Sequence, residues 1–241
     1  LLIQPLPLYY TLRATFDPTY TPLTIPTREL WMTTYQSQMN GTFLETLRTN
    51  LWEGQLASLA WAWDHGRVFQ TAALFLLGML AGRRRLFLQE ALPVWNKICA
   101  GAIIAFFPLY GINNLLPQFI ENRSILVPLS LIISSLANFA FMLMLVSGVL
   151  FMYYRTRMQS LLRKIIPYGK MSLTNYITQS IIGSFLFYHW GLGLHSHLTI
   201  TTSCLTGIVL FFLQWKCCDW WMKHHDHGPL EYLWKRATWL R

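Results

Sequence analysis

The stretch ILVPLSLIISSLANFAFMLMLVSGVLFMYY, residues 125–154, contains no charged residue. A helix of about 20 apolar residues is long enough to cross the hydrocarbon core of a bilayer. Four further apolar runs, near 66–82, 94–116, 172–194 and 198–215, also lack charges in their middle. The sequence therefore predicts an all-α fold, a polytopic transmembrane helix bundle with about five spans plus interfacial helices.

The composition also favours a membrane protein. Hydrophobic residues make up 54% of the 241 residues and charged residues only 12%, too few charges to cover a soluble protein of this size. The net charge is +9, but the Lys and Arg residues lie between apolar runs, which argues against a nucleic-acid partner. The expected partner is the lipid bilayer.

The order of the apolar runs predicts three regions. Residues 1–65 form an extracytoplasmic or interfacial segment, with one or two surface helices between 27 and 62. Residues 66–216 form the membrane domain, and residues 217–241 form a cytoplasmic tail with a short interfacial helix. The first segment is expected to be irregular before residue 27 because proline breaks helices. The prolines concerned are Pro5, Pro7, Pro18, Pro22 and Pro26.

The fourth predicted span carries a polar stripe. At 3.6 residues per turn, Ser172, Asn175, Gln179 and Gly183 lie on one side of the helix, with Ser172 as the expected N-cap. Amides in hydrocarbon need partners, so this side should face another helix or a wet cavity. Interhelical hydrogen bonding is one interpretation, and a substrate pocket with Asn175 and Gln179 as catalytic candidates is the other. The candidates for substrate binding on this basis are Ser172, Asn113 and Asn138.

Asp64, His65 and Arg67 stand at the start of the first predicted span. His65 is a candidate general base because a neighbouring carboxylate could orient its ring, and Arg67 could bind an anionic substrate group. Adjacent residues on a helix do not face each other, so the alternative is an interfacial cap in which Arg67 reaches water.

The tail combines Cys217 and Cys218 with three histidines, a composition that suggests metal binding. Two adjacent cysteines cannot readily ligate one tetrahedral ion, and no structural zinc spacing is present. We therefore predict no metal site. No disulfide framework is predicted either, because the cysteines lie in segments assigned to the membrane or the cytoplasm.

Two stretches resemble signatures of the bacterial YeiB-like membrane proteins, which carry the domain of unknown function 418. The first is GKMSLTNY at residues 169–176, followed by Gln179 and Ser180, and the second is HGPLEYLWKR at residues 227–236. Residues 70–83 are similar to a third part of the pattern. The resemblance covers roughly residues 40–241, and its terminal motif is the more specific part.

The resemblance implies a relation to acyl transfer. Family members usually begin with further membrane helices, introduced by a Leu-Asp-x-x-Arg-Gly motif, and that part is similar to membrane acyltransferases such as the heparan glucosaminide acetyltransferase. This chain lacks the motif and begins at Leu1, so we expect it to be the C-terminal part of a longer protein. No catalytic residue can be carried over. The resemblance implies acyl-coenzyme A as donor and the bacterial inner membrane as location, although the residues themselves indicate no cofactor.

Three classes of function remain open at this point. The first is acyl transfer to an envelope acceptor, for which amides in a membrane cavity could stabilise an oxyanion. The second is a transporter or export component, for which neither a buried charge nor an internal repeat is visible. The third is a non-catalytic membrane scaffold. Additional membrane helices or a second copy of the chain are the expected protein partners.

The distribution of basic residues predicts the orientation. Of the 19 Lys and Arg residues, 14 fall on the side that includes the C-terminus and five on the other side. Since the richer side faces the cytoplasm, we expect a fluorescent reporter fused after Trp239 to mature in the cytoplasm. A phosphatase that is active only outside the cytoplasm should be active when it is inserted after Glu121 and inactive after Trp239. The opposite pattern would contradict this orientation.

Overall fold

The structure is a computed structural model that describes residues 4–17, 19 and 27–239. Over these residues it contains helices and no β-strand, which confirms the all-α fold. The chain divides into two compact units, which are described separately. Unit 1 consists of Leu1–Leu30 and Gln55–Arg157, and unit 2 consists of Trp31–Gly54 and Met158–Arg241.

The α-helices are numbered in chain order. A π-helical turn, Asn50–Gly54, links the third and fourth helices, and short 3-10 turns precede the sixth and tenth. The helices are α1 Pro5–Phe16, α2 Thr27–Asn40, α3 Phe43–Thr49, α4 Gln55–Asp64, α5 Arg67–Arg83, α6 Leu92–Phe119, α7 Arg123–Arg155, α8 Gln159–Lys170, α9 Ser172–Phe187, α10 Ile200–Met222 and α11 Pro229–Thr238.

Three of the described helices are long and apolar enough to cross a membrane: α7, α10, and α6 together with the 3-10 turn before it. The predicted spans near 66–82 and 172–194 are also helical, but α5 and α9 have only 17 and 16 residues. α9 is short because the chain turns back at its end, where the N–H of Leu192 donates to the carbonyl of Phe185 at 2.8 Å. The count of about five spans is therefore not confirmed.

Helix α1 shows that the expectation of an irregular start was wrong. Pro5 and Pro7 lie in the first turn of α1, where a missing N–H costs no helical hydrogen bond. Pro18, Pro22 and Pro26 lie outside the described residues. The stretch between 27 and 62 contains α2, α3 and α4, more than the one or two helices predicted.

Unit 1 is organised by α6 and α7, which pack along each other, with α1 against α7. Several buried positions on α6 and α7 carry small side chains that are at most 5% exposed. Small residues let helix backbones approach closely, which is the usual basis of helix packing in membranes. The residues are Ala102 of α6 and Ala137, Ala140, Ser135 and Ser147 of α7.

Unit 2 is organised by α8, α9, α10 and α11. The indole Nε1 of Trp215 in α10 donates to the carbonyl of Lys164 in α8 at 2.8 Å, and the rings of Tyr168 and Phe211 lie 5.2 Å apart. At the other end of α9, the turn that follows this helix packs against α3. There the Trp190 ring packs edge-on at 4.9 Å from the ring of Phe43 in α3.

Trp95 at the start of α6 provides a test of this packing. Its side chain is 4% exposed, and its Nε1 donates to the carbonyl of Leu86 at 2.7 Å. Trp95→Phe removes this donor inside the fold, so we expect the free energy of unfolding to fall by about 1–3 kcal/mol. The measurement is chemical denaturation in detergent micelles.

Trp220→Phe is the matched control, since Trp220 is 63% exposed. We expect that variant to stay within about 0.5 kcal/mol of the wild type. Equal losses in the two variants would contradict the buried position of Trp95.

Candidate functional site around helix α9

The polar stripe of α9 takes part in a hydrogen-bond network within unit 2, in which Asn175 and Gln214 are buried and Gln179 is exposed. Asn175 is 6% exposed, and its Nδ2 donates to the carbonyl of Tyr168 at 3.0 Å. Its Oδ1 accepts from the thiol of Cys218 in α10 at 3.2 Å. Gln214, also in α10, donates to the Thr178 hydroxyl at 3.1 Å. The network therefore joins α8, α9 and α10 through atoms that would otherwise be buried without partners.

Gln179 extends the network by one turn of α9. Its Nε2 donates to the Tyr168 hydroxyl and to Gln214 Oε1, each at 2.8 Å. Both N–H groups of this amide are thereby engaged. The structure thus places Asn175 and Gln179 in contacts between helices, and their catalytic role stays a prediction.

The start of α9 is capped from α11. Ser172 is the first helical residue and is exposed, so it is not the N-cap that its position suggested. The Glu231 carboxylate accepts from the Thr174 N–H at 3.0 Å and from the Thr174 hydroxyl at 2.6 Å. The Thr174 hydroxyl accepts in turn from the N–H of Leu230 at 3.2 Å. A carboxylate at this position also interacts favourably with the positive end of the helix dipole.

The electrostatics of Glu231 follow from this contact. Partial burial raises its pKa, but the hydrogen bonds from Thr174 outweigh that effect and hold the pKa below the ordinary value of 4.5. Gly228 borders the same carboxylate, and a Cβ on it would overlap with the Glu231 oxygen. The two motif stretches therefore meet in space, because Glu231 and Gly228 of the second pack on Thr174 of the first.

An apolar cavity of about 350 Å³ lies on a different side of α9. Ser180 and Ser184 reach it, and at 3.6 residues per turn they project away from the side that carries Asn175. The rest of its wall comes from α3, the π-helical turn and the chain after α9. The lining residues are Phe43, Thr46, Leu47, Asn50, Ser180, Ile181, Ser184, Tyr188 and Trp190.

The second candidate region lies in unit 1, where α4 meets α5. The His65 ring stacks on Trp61 at 4.8 Å, and the Arg67 guanidinium lies 5.6 Å over the same indole. His65 Nδ1 is 3.0 Å from the Trp61 carbonyl, so this nitrogen is not turned to Asp64. Burial raises the pKa of Asp64, and the nearby His65 partly offsets this rise.

Arg67 takes part in a polar cluster rather than projecting into water. Its Nη1 donates to Gln70 Oε1 at 2.7 Å, and Gln4 Nε2 donates to the same oxygen at 3.3 Å. Gln4 Nε2 also donates to the Ser135 hydroxyl, while Gln4 Oε1 has no partner among the described residues. Gly66 is required here, because its φ is +62° and a Cβ would lie 3.1 Å from the Gln4 Cβ.

The remaining predicted residues also lie in unit 1. Asn113 Oδ1 accepts from the Ser130 hydroxyl at 2.8 Å, a contact between α6 and α7. Asn138 is exposed. The role of both residues in substrate binding stays a prediction. The described residues contain no cluster of His, Cys, Asp and Glu that could hold a metal ion.

Sequence reasoning missed Gln214, Cys218 and Glu231 as members of the network. Gln214 had a usable signal, since a single amide in an apolar run needs a partner. Cys218 was considered only as a cysteine of the tail that could bind a metal, and Glu231 only as part of the terminal motif. Their contacts join residues 35 to 57 positions apart, which no local pattern reveals.

Comparison with known proteins places these motifs in a family. The profile of a family described as a protein of unknown function, DUF418, matches residues 81–241. Uncharacterized protein YxaH of Bacillus subtilis is 35% identical over 95 residues, which cover 39% of this chain and 24% of that protein. Uncharacterized protein YeiB of Escherichia coli is 33% identical over 70 residues, 29% of this chain and 18% of that protein.

A further relative matches over more of the chain. An uncharacterized 39.9 kDa protein of Bacillus acidopullulyticus, from the 3' region of an amylase gene, is 26% identical over 212 residues. The match covers 80% of this chain and 59% of that protein. The chain thus spans less than two thirds of the length of each of these relatives. No solved structure matches it.

The cap on α9 predicts a pH-dependent stability. Because the pKa of Glu231 is lowered in the folded state, its stabilisation is present above about pH 4.5 and is lost as the pH falls through its folded-state pKa. We expect Glu231→Gln to lower the free energy of unfolding by about 0.5–2 kcal/mol at pH 7 and by less at pH 3. The measurement is denaturation in a neutral detergent at both pH values.

Asp226→Asn removes an exposed carboxylate just before α11 and serves as the control. We expect little change in that variant at either pH. A loss in Glu231→Gln that is as large at pH 3 as at pH 7 would contradict a charged cap.

Proposed function

The chain belongs to the DUF418 family of proteins of unknown function. From its own helices and cavity, we propose that it is the membrane-embedded part of an acyltransferase-like protein and that unit 2 holds an acyl chain. The apolar cavity beside α9 is the observation that carries this proposal.

The cavity has the size and lining of a site for a hydrocarbon chain. Its volume of about 350 Å³ falls in the range of ligand pockets. The side chains of Phe43, Leu47 and Ile181 provide apolar walls, and Ser184 and Tyr188, which each carry a hydroxyl group, also line the cavity. An ester or thioester of a fatty acid combines these two features.

On this proposal Asn175 and Gln179 act as positioning residues. Their amides are engaged with Tyr168, Cys218 and Gln214, so they set the place of α9, whose other side borders the cavity. Within unit 1, a general-base role for His65 and an anion-binding role for Arg67 stay separate proposals from the sequence, and the acyl-chain site of unit 2 does not depend on them. Acyl-coenzyme A is the proposed donor, by resemblance to the membrane acyltransferases.

The proposed location is the bacterial inner membrane, with the C-terminus in the cytoplasm. Three helices compatible with a bilayer and the excess of basic residues on the C-terminal side support it. A cytoplasmic acyl donor and an envelope acceptor would then meet the protein from opposite sides.

A membrane scaffold is the second candidate function. The observation that favours it is the saturation of the network, in which Asn175 and Gln179 have partners on neighbouring helices of the same unit. A scaffold needs these contacts and no bound acyl chain.

Ser184→Phe tests the acyl-chain proposal, because the added ring occupies the cavity. Membranes that contain the protein are labelled with a photoreactive fatty acyl-coenzyme A, and acyl transfer to envelope lipids is followed with a radioactive donor. We expect the photolabelling of unit 2 and the acyl transfer both to fall at least about tenfold, as when a ligand pocket is blocked.

Ser203→Phe is the matched control, since Ser203 lies on α10 and does not line the cavity. It should leave both signals unchanged. Equal labelling of the two variants would overturn the acyl-chain site. Labelling by the wild type without any acyl transfer would replace the proposed enzyme with a lipid-binding scaffold.

A further inference from the structure

Seven Lys and Arg residues, against three Asp and Glu, occur between residues 159 and 239, and all seven basic side chains are exposed. They lie in α8, at the end of α10 and in α11. We call this set the basic surface of unit 2. Its members are Arg163, Lys164, Lys170, Lys216, Lys223, Lys235 and Arg236.

Contacts in the structure bring these helix segments to one end of unit 2. The Lys164 carbonyl accepts from Trp215, which precedes Lys216 in α10. The start of α9 follows directly after Lys170 and is capped by Glu231 of α11. The basic surface is therefore one region built from three helices.

The carboxylates of this region neutralise little of its charge. Asp219 pairs with Lys223 at 3.0 Å, and Glu231 is engaged with Thr174. Lys235 Nζ lies 3.2 Å from His227 Nε2, a contact that leaves its positive charge uncompensated. A surface with this balance attracts anions.

The helices of the basic surface are amphipathic in a way that suits a bilayer interface. In α8 the side that carries Arg163 and Lys170 lies opposite Leu161 and Ile165. In α11 Lys235 and Arg236 lie opposite Leu233, which is 59% exposed, and Trp234, which is 70% exposed. Exposed apolar and basic sides on one helix are typical of helices that lie at the level of lipid headgroups.

We propose that the basic surface of unit 2 binds the headgroups of anionic phospholipids in the adjoining membrane leaflet. Phosphate groups pair with Lys and Arg, and the exposed indoles of Trp220 and Trp234 suit a headgroup layer, where tryptophan is enriched. This inference does not rest on the acyl-transfer proposal.

A soluble phosphate compound fits the observations less well. The cleft in this region, about 550 Å³ between α10 and α11, is lined by Asp226 and by Lys223, whose charge is already paired. Among the described residues, the exposed basic side chains of α8 and α11 form no ion pair with a carboxylate. Binding of a phosphate ester from solution requires a concave site with several cations. A lipid surface, in contrast, can contact cations that are spread along the sides of helices.

Lys235→Gln combined with Arg236→Gln tests the inference on the purified protein in a neutral detergent. Phosphatidylglycerol, phosphatidylcholine and coenzyme A are titrated separately, and tryptophan fluorescence reports binding. Wild type should bind phosphatidylglycerol more tightly than phosphatidylcholine, and high salt should weaken that binding. At about 1 kcal/mol per cation, the double variant should lose roughly 10- to 30-fold in affinity for phosphatidylglycerol.

Arg48→Gln with Arg123→Gln is the control of equal charge, since both residues are exposed and lie outside the basic surface. It should keep wild-type affinity. Arg163→Gln with Lys164→Gln is a second test variant on α8 and should lose affinity like the first. Equal binding of both lipids, equal loss in the control, or displacement of phosphatidylglycerol by coenzyme A would each overturn the proposal.

Discussion

The carboxylate of Glu231 lies on the first turn of α9, and the arrangement of unit 2 depends on this contact. A helix N-terminus leaves N–H groups without helical partners, and in apolar surroundings such groups need acceptors. α9 has no side-chain cap of its own, so a residue 57 positions away supplies the acceptor. The short helix α11 is thereby held at the start of α9.

The same requirement for hydrogen-bond partners organises the helices next to α9. Asn175 cannot be buried unless Tyr168 and Cys218 approach it, and Gln214 is paired with Thr178 and Gln179. These contacts leave the side of α9 with Ser180 and Ser184 free to border a cavity. The polar side thus fixes the position of the helix, and the less polar side is available for a ligand.

The surroundings of α9 in unit 2 differ in polarity between its first and its last turns. Its first turns lie among basic and tryptophan-rich segments, where charge and amphipathic helices favour a headgroup layer. Its last turns border an apolar cavity without a charged lining residue. A lipid-like ligand has the same division between a charged head and an apolar chain. Cap, network, basic surface and cavity therefore support the proposal that unit 2 binds amphipathic molecules.

The sequence by itself determined the all-helical class, the apolar helices and the polar stripe, because hydrophobic runs and the 3.6-residue period are local properties. The run near 172–194 was predicted as one span, but a turn ends α9 at Phe187, whereas α5 has the length that its apolar run predicts. The helix at Pro5 and Pro7 was also missed, because proline is compatible with the first turn. Only the tertiary structure decided that Glu231 caps α9, that Cys218 and Gln214 satisfy its amides and that a cavity lies on its other side. These features depend on atoms far apart in the chain, and pairing between distant polar groups leaves no periodic signal in the sequence.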